Sequence, residues 1–145
     1  MKNKFILLIS SVFFIPVLKP FEILAQSDCP TLTISNGDKV IESYDNSISI
    51  NDKINISITN TKNRFRISKV KIKLIPKDKT NNIQVKGYAS KFSDNPEIEI
   101  PVNKLIQPDN QIEKIVLSIQ EVTDESTDSQ SNCFFYGQEY SFWVE

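Results

Sequence analysis

The residue types that most often carry out enzymatic chemistry are scarce in this 145-residue chain. The chain contains no histidine, and histidine is the most versatile general base and the commonest metal ligand at neutral pH. Ser–His–Asp and Cys–His arrangements are therefore impossible, as are imidazole sites for zinc or copper. With three glycines in the whole chain, no glycine-rich phosphate-binding loop can be formed. The sequence predicts a protein that is not an enzyme and that uses no metal and no cofactor.

Two weaker candidates for chemistry remain in the sequence. Glu97 and Glu99 alternate on a predicted strand, which places them on one face about 6.6 Å apart. That spacing lies within the roughly 5–9.5 Å that separates glycosidase carboxylates, but such acid pairs are common on solvated strands. The polar loop 123–132 alternates oxygen-bearing side chains, yet it has Ser129 and Phe135 where a calcium loop needs glycine and glutamate. We interpret the pair as surface charge and the loop as a connector.

The first 25 residues have the pattern of a secretory signal peptide. Two lysines precede an apolar run from Phe5 to Leu18, and a small residue, Ala25, follows. The run is shorter than the about 20 residues that a membrane-spanning helix needs. The sequence therefore predicts that residues 1–25 are a cleaved signal peptide and that residues 26–145 are exported as a single domain, secreted or periplasmic, with no stable membrane insertion. A retained N-terminal anchor is the alternative.

Export determines how the two cysteines are interpreted. In an oxidising compartment, two cysteines in a small domain indicate one disulfide. Cys29 and Cys133 are 104 positions apart, and closing a loop of about 100 residues stabilises a fold by up to about 4.7 kcal/mol in the chain-entropy model. The apolar, aromatic segment 133–144 indicates that this end of the chain is packed. A reactive thiol or metal pair is the alternative, and it lacks an activating histidine.

Alternating apolar and polar residues predict an all-β domain. A tight turn at 36–37, an Asn-Gly pair that accepts positive φ, is predicted to join the first two strands. A turn at 51–52 follows a segment in which Ile48 and Ile50 share one face. A hairpin about 93–96 is predicted to join two later strands. On that interpretation the residues sharing its inward face are Val85, Ala89, Ile98, Ile100 and Val102.

The longer segments also have one apolar face each. Their predicted inward residues are Ile54, Ile56 and Ile58, then Val70, Ile72 and Leu74, then Ile115, Leu117 and Ile119, and finally Tyr140, Phe142 and Val144. Because no amphipathic helix is available to cover these faces, a second sheet must do so. The sequence thus predicts a two-sheet antiparallel β-sandwich of seven to nine strands.

The strand rhythm resembles that of the immunoglobulin-like sandwiches common in bacterial envelope proteins. The turn-into-strand NDKINISITN and the corner from Leu105 to Pro108 before a long strand carry the resemblance. It implies an immunoglobulin-like fold, and folds of this kind have many functions.

Charge is distributed unevenly along the chain. Residues 62–91 hold ten basic residues and one acidic residue, whereas residues 92–145 hold two basic and eleven acidic residues. Lys69, Lys71 and Lys73 form a row on one face of a predicted strand. They either interleave with acidic strands and protect a sheet edge, or form a binding surface for an anionic partner. If the neighbouring strand is 114–122, its outward residues do not neutralise them.

These features predict a secreted or periplasmic binding module of the cell envelope. Its candidate binding residues are Lys69, Lys71, Lys73 and Trp143, and the alternative for Trp143 is plain core or lid packing beside the disulfide. The expected partner is an unknown protein or an anionic polysaccharide, and nucleic acid is not expected for an exported chain. The alternative function is a small inhibitor or accessory subunit of an enzyme complex that acts through loops such as 123–132.

Overall fold

The structure, a computed structural model, describes residues 29–41, 46–59 and 61–145. The described elements are β1 (Thr31–Asn36), β2 (Lys39–Val40), β3 (Asn46–Ile48), β4 (Lys53–Thr59), β5 (Phe65–Pro76), β6 (Gln84–Tyr88), β7 (Glu97–Pro101), α1 (Val102–Leu105), β8 (Ile112–Asp124), β9 (Ser129–Gln130) and β10 (Glu139–Val144). The predicted signal peptide lies outside these residues. No helix within the described ranges is long and apolar enough to cross a membrane.

The strands form two sheets, as predicted. The smaller sheet has the order β2-β1-β4-β7, and the larger has the order β3-β10-β8-β5-β6, with β9 also paired to β8. The prediction of purely antiparallel pairing is wrong for one pair, because β3 runs parallel to β10. The described strands number ten rather than seven to nine, and the two-residue strand β9 is one that the sequence pattern did not predict.

The facing sides of the two sheets form the hydrophobic core. Ile54, Ile56 and Ile58 of β4 are fully buried, as predicted from their alternation. The other predicted inward residues of β5, β8 and β10 are buried or half-buried: Val70, Ile72, Leu74, Ile115, Leu117, Ile119, Tyr140, Phe142 and Val144. A sandwich core of this kind arises because each strand points alternate side chains to opposite faces.

The two predicted early turns are present, with one correction. The first hairpin pairs Asn36 with Lys39, so its turn residues are 37–38, one position later than predicted. In the second turn, the Asp52 carboxylate accepts hydrogen bonds from the Ser49 N–H and the Asn36 amide, which lower its pKa. Ile50 lies within this turn and is 39% exposed, so the prediction that it shares the buried face of Ile48 is wrong.

The predicted hairpin about 93–96 is wrong. β6 pairs with β5 in the larger sheet, whereas β7 pairs with β4 in the smaller sheet. The connection between them crosses from one sheet to the other, and two backbone hydrogen bonds between Phe65 and Ser93 hold it. Val85 is consequently 59% exposed and Ala89 is exposed, while the predicted inward residues of β7 and α1 are buried. Alternation identifies the faces of a strand but not its neighbours.

The central strands β5 and β8 form the longest pairing in the molecule. Both contain a register shift at the same level: Ile67 pairs with Val122 and Val70 pairs with Ile119, with two residues between the inward positions on each strand. The inward face therefore stays continuous, and β5 covers the predicted strand segment 66–76 with one further residue, Phe65, at its start. It ends at Pro76, which as a proline cannot donate a hydrogen bond to a further ladder.

Cys29 and Cys133 form the predicted disulfide, with their Cα atoms 5.4 Å apart. It joins the entry to β1 in the smaller sheet to the loop before β10 in the larger sheet. Phe134 packs edge-on against Phe65 with ring centroids 6.3 Å apart. The Gly137 N–H donates to the Ile119 carbonyl. This end of the chain is therefore packed, as its composition indicated.

Candidate binding face

The outer face of the larger sheet contains most of the candidate residues, and we call it the basic face. Four cross-strand rows define it, since residues paired across a ladder point to the same side of a sheet. Its outward residues are Lys69, Lys71, Lys73, Ile75, Val85, Gly87, Lys114, Val116, Ser118, Glu121, Glu139, Ser141 and Trp143. Val116 points outward, in a row between Lys73 and Ser141, and is still only 6% exposed.

An open groove of about 340 Å³ lies on this face, between β5 and the edge strand β6. Its lining side chains include Lys69, Lys71, Val85 and Gln120, and parts of Val70, Lys86 and Gly87 complete it. Gly87 is directly opposite Lys71 in the β5–β6 pairing. The groove exists because this position of β6 has no side chain to fill it.

The fold does not require a glycine at position 87. Its φ angle is not among the positive values found in the described residues. A Cβ atom built there would meet only the Val70 carbonyl oxygen, at 3.9 Å, an ordinary van der Waals contact. A glycine inside a strand costs about 0.5–1 kcal/mol relative to alanine. Such glycines often mark the close approach of a ligand or of another backbone.

One of the three candidate lysines is neutralised within the fold. The Lys73 Nζ atom lies 2.9 Å from Glu139 Oε1 on β10, with both side chains partly exposed. This hydrogen bond and the Lys73 charge, helped by Lys114 and Lys71, lower the pKa of Glu139. As predicted, β8 contributes no acid beside Lys71 or Lys73. The prediction did not include Glu139, which lies on β10, the strand on the other side of β8.

The other two candidate lysines make no ion pair with any carboxylate in the described part of the chain. Lys69 is exposed and Lys71 is half-buried. The Cα atom of Glu121 is paired with that of Lys69, but the Glu121 carboxylate accepts a hydrogen bond from the Thr123 hydroxyl. The groove is therefore lined by two cations that lack an acidic partner among these residues.

Trp143 points outward, as predicted, and is 40% exposed. The Lys114 Nζ atom lies 4.8 Å from its ring centroid, within the range of a cation–π interaction. Trp143 shares the basic face with the lysines but does not line the groove, because β8 separates β10 from β5. The structure thus brings Lys69 and Lys71 together and leaves Trp143 apart from them.

The two candidates for chemistry lie elsewhere. Glu97 and Glu99 share the outer face of the smaller sheet, where Glu99 pairs with Lys53 at 2.8 Å. In the 123–132 segment, the Asp124 carboxylate accepts hydrogen bonds from the backbone and hydroxyl of Ser126, which closes the turn between β8 and β9. Across the described ranges, no group of three or more cysteine, aspartate or glutamate residues is placed to hold a metal ion.

Sequence reasoning missed Val85, Gly87 and Gln120 as groove residues. Gly87 could have been found from the sequence, since a glycine in the interior of a strand pattern suggests a place where another backbone approaches the strand closely. Val85 could not be found, because the wrongly predicted hairpin assigned it to the buried face.

The chain matches no known protein-family model, and no curated protein is significantly similar to it.

Proposed function

We propose that the chain is a secreted or periplasmic, non-catalytic binding module that engages an anionic partner through the groove of the basic face. The observation that carries the proposal is the position of Gly87 opposite Lys71, beside Lys69. The glycine is unnecessary for the fold, and it opens a groove beside two cations that have no acidic partner among the described residues. Positive charge concentrated in a groove attracts anions and speeds their association.

The alternative interpretation of the lysine row is structural. Lysines protect a sheet when they lie on its edge strand, but β5 lies between β8 and β6 and is not an edge. Interleaved charges account for Lys73, which pairs with Glu139. Glu121 lies opposite Lys69 but makes no ion pair with it, and Lys71 has no acid directly opposite it, so a binding role explains these two residues better.

The strand order supports an immunoglobulin-like fold for this module. In variable-type immunoglobulin domains, strands A, B and E share one sheet, while C, C′, F and G share the other. Assigning these letters to β1, β4 and β7, and to β5, β6, β8 and β10, reproduces both sheets in order, without a strand D. The Cys29–Cys133 disulfide supports export by way of the predicted signal peptide 1–25, because disulfides persist in oxidising compartments.

The proposal is tested by measuring the binding of the purified protein to dextran sulfate and to polyglutamate at rising salt. Trp143, the single tryptophan, provides a fluorescence signal from the same face. The double variant Lys69→Glu with Lys71→Glu is expected to weaken binding about tenfold or more, equivalent to about 1.4 kcal/mol. Binding by the unmodified protein is expected to weaken as salt rises, because exposed charges are screened beyond about 8–10 Å at physiological salt.

The matched control is Lys77→Glu with Lys79→Glu, which makes the same charge change in the exposed connection after β5. It is expected to change affinity less than about threefold through long-range charge alone. Equal losses of affinity in the two double variants would mean that binding depends only on the net charge of the protein. Binding that does not weaken as salt rises would mean that electrostatic attraction does not drive it. Either result would contradict the proposal.

A second candidate function is favoured by Phe135, which is 89% exposed. Its neighbours are fixed: Cys133 by the disulfide, Phe134 by packing, and Tyr136 by a hydrogen bond from its hydroxyl to the Ser131 carbonyl. A rigid exposed aromatic is typical of interface anchors. If the chain is an inhibitor or accessory subunit that uses this loop, Phe135→Ala is expected to abolish binding to its partner. The double variant Lys69→Glu with Lys71→Glu is expected to keep that binding. A pull-down from an envelope fraction measures both.

A further inference from the structure

The groove lies beside an open sheet edge. β6 is the last strand of the larger sheet, and no described strand lies on its other side. Its five residues pair one to one with β5 from Val70↔Tyr88 to Leu74↔Gln84, without a register shift. The outer side of β6 is therefore a regular row of backbone donors and acceptors, the kind of edge to which an extended peptide can add as a new strand.

Two of the devices that usually block such an edge are absent from β6. It contains no proline and no bulge. Its single charged residue, Lys86, is on the inner side, where its Nζ atom donates to the Leu105 carbonyl at the end of α1, at 3.0 Å. The Lys86 side chain thus points to the inner side of the sheet and reaches α1.

Gly87 lets an added strand reach the lysines. An added strand would lie two strand spacings, about 9.6 Å, from β5. A side chain at position 87 would stand between them on the outer face. Because Gly87 has none, an acidic side chain opposite it can extend across the groove to Lys71, its cross-strand neighbour. Two residues along, Val85 is 59% exposed and offers an apolar contact.

We propose that the partner is an extended acidic segment of a protein, which adds as a strand to the free edge of β6. It has an acidic side chain opposite Gly87 and an apolar side chain, two residues away, opposite Val85. Backbone pairing supplies affinity, and the groove supplies the preference for this two-residue pattern. The inference rests on the proposed function and narrows it, since it identifies the anion as a polypeptide carboxylate and not a sulfated or uronic polysaccharide.

The probe is a synthetic seven-residue peptide with one glutamate and, two positions away, one valine. Its other five residues are threonine. Binding to the full-length protein is followed by NMR. Changing the glutamate to glutamine is expected to weaken binding about threefold, as for a partly exposed ion pair. Two further peptides carry N-methyl groups on alternate residues. The peptide whose methyl groups replace the N–H donors that face β6 is expected to bind about tenfold more weakly. The other peptide, whose methyl groups point away from β6, is expected to bind within about twofold of the unmethylated peptide.

Gly87→Val is expected to abolish peptide binding. In the unmodified protein, the bound peptide is expected to slow hydrogen exchange of alternate β6 amides. Equal binding by both methylated peptides, or peptide binding that is unchanged in Gly87→Val, would overturn the inference.

The outcomes separate the inference from the proposed function. If dextran sulfate binding is lost in Lys69→Glu with Lys71→Glu but methylation of the peptide has no effect, the proposed function stands and the strand-addition inference fails. If neither probe binds, both fail. Sedimentation as an oligomer in which the β6 amides are already protected without peptide would mean that a second copy fills the edge, and it would also overturn the inference.

Discussion

The outer faces of the two sheets differ although the same alternation builds both. On the smaller sheet, the outward rows join Thr33 to Ser57 and Glu97, and Ser35 to Asn55 and Glu99. These side chains are short and uncharged or acidic, and Lys53 neutralises Glu99 at 2.8 Å. This face is a polar surface built mainly from serine, threonine, asparagine and glutamate side chains.

The basic face of the larger sheet has long cations, outward apolar residues and a gap at Gly87. Nothing in sandwich packing requires any of these, because the outward face of a sheet needs only to be compatible with water. Features that depart from what the fold requires are the ones that point to function. The smaller sheet shows what the fold alone demands, and the basic face shows what has been added.

The largest expected effect concerns the link between the two sheets. Replacing the disulfide with Cys29→Ser and Cys133→Ser is expected to lower the free energy of unfolding by about 2–5 kcal/mol, because the unfolded chain is no longer constrained. At about 3–5 °C per kcal/mol for a domain of this size, the melting temperature should fall by about 6–25 °C. Differential scanning calorimetry measures the melting temperature. An unchanged melting temperature would show that packing alone joins the sheets.

The second prediction adds charge to the other face. Glu97→Lys with Glu99→Lys makes the outer face of the smaller sheet basic without creating a groove. We expect its affinity for dextran sulfate to stay within about threefold of that of the unmodified protein, since surface charge alone contributes little. Fluorescence titration measures this. A tenfold gain would show that any basic sheet face suffices, and the difference between the two faces would then have no functional meaning.

The third prediction separates stability from binding. Gly87→Val is expected to raise the free energy of unfolding by about 0.5–1 kcal/mol, because a β-branched residue favours the strand and restricts the unfolded chain. It should at the same time block the groove and weaken dextran sulfate binding. The matched control is Ser57→Val on the outer face of the smaller sheet, which should leave binding unchanged. A Gly87→Val protein that binds normally would show that the groove is not used.

The smallest expected effect is a pH dependence at Glu139. Its pKa is lowered, mainly by the hydrogen bond and charge of Lys73. The stabilisation from this pair is therefore present above the unfolded-state pKa and is lost as pH falls through the lowered folded-state pKa. The same protonation releases Lys73, so affinity for dextran sulfate, which stays ionised, should rise slightly at low pH.

NMR titration of Glu139 measures the effect directly. In Lys73→Met, its pKa should move up toward the ordinary value for a glutamate. An unchanged pKa in this variant would show that the ion pair with Lys73 does not form in solution.

Much of the fold was predictable from local pattern. The inward residues of β4, β5, β8 and β10 follow from alternation, since a strand places every second side chain on one face. The Cys29–Cys133 pairing follows from there being two cysteines in a chain with a signal-peptide pattern. The outward position of Trp143 follows from the burial of Phe142 beside it. Each of these inferences needs only neighbouring residues or a count.

The candidate site could not be predicted in the same way. Gly87 and Lys71 become neighbours only because β6 pairs with β5, and Lys73 meets Glu139 only because β10 lies close by in the same sheet. The error at the 93–96 hairpin has the same origin, because two consecutive strands there belong to different sheets.

The sequence by itself determined the strand class, the inward faces of β4, β5, β8 and β10, the disulfide and the row of lysines. Only the tertiary structure decided which lysines are neutralised, where the groove lies and which strand edge is free. The physical reason is that the face of a side chain is a local property of an extended backbone, whereas the neighbour of a strand is selected by packing the whole core.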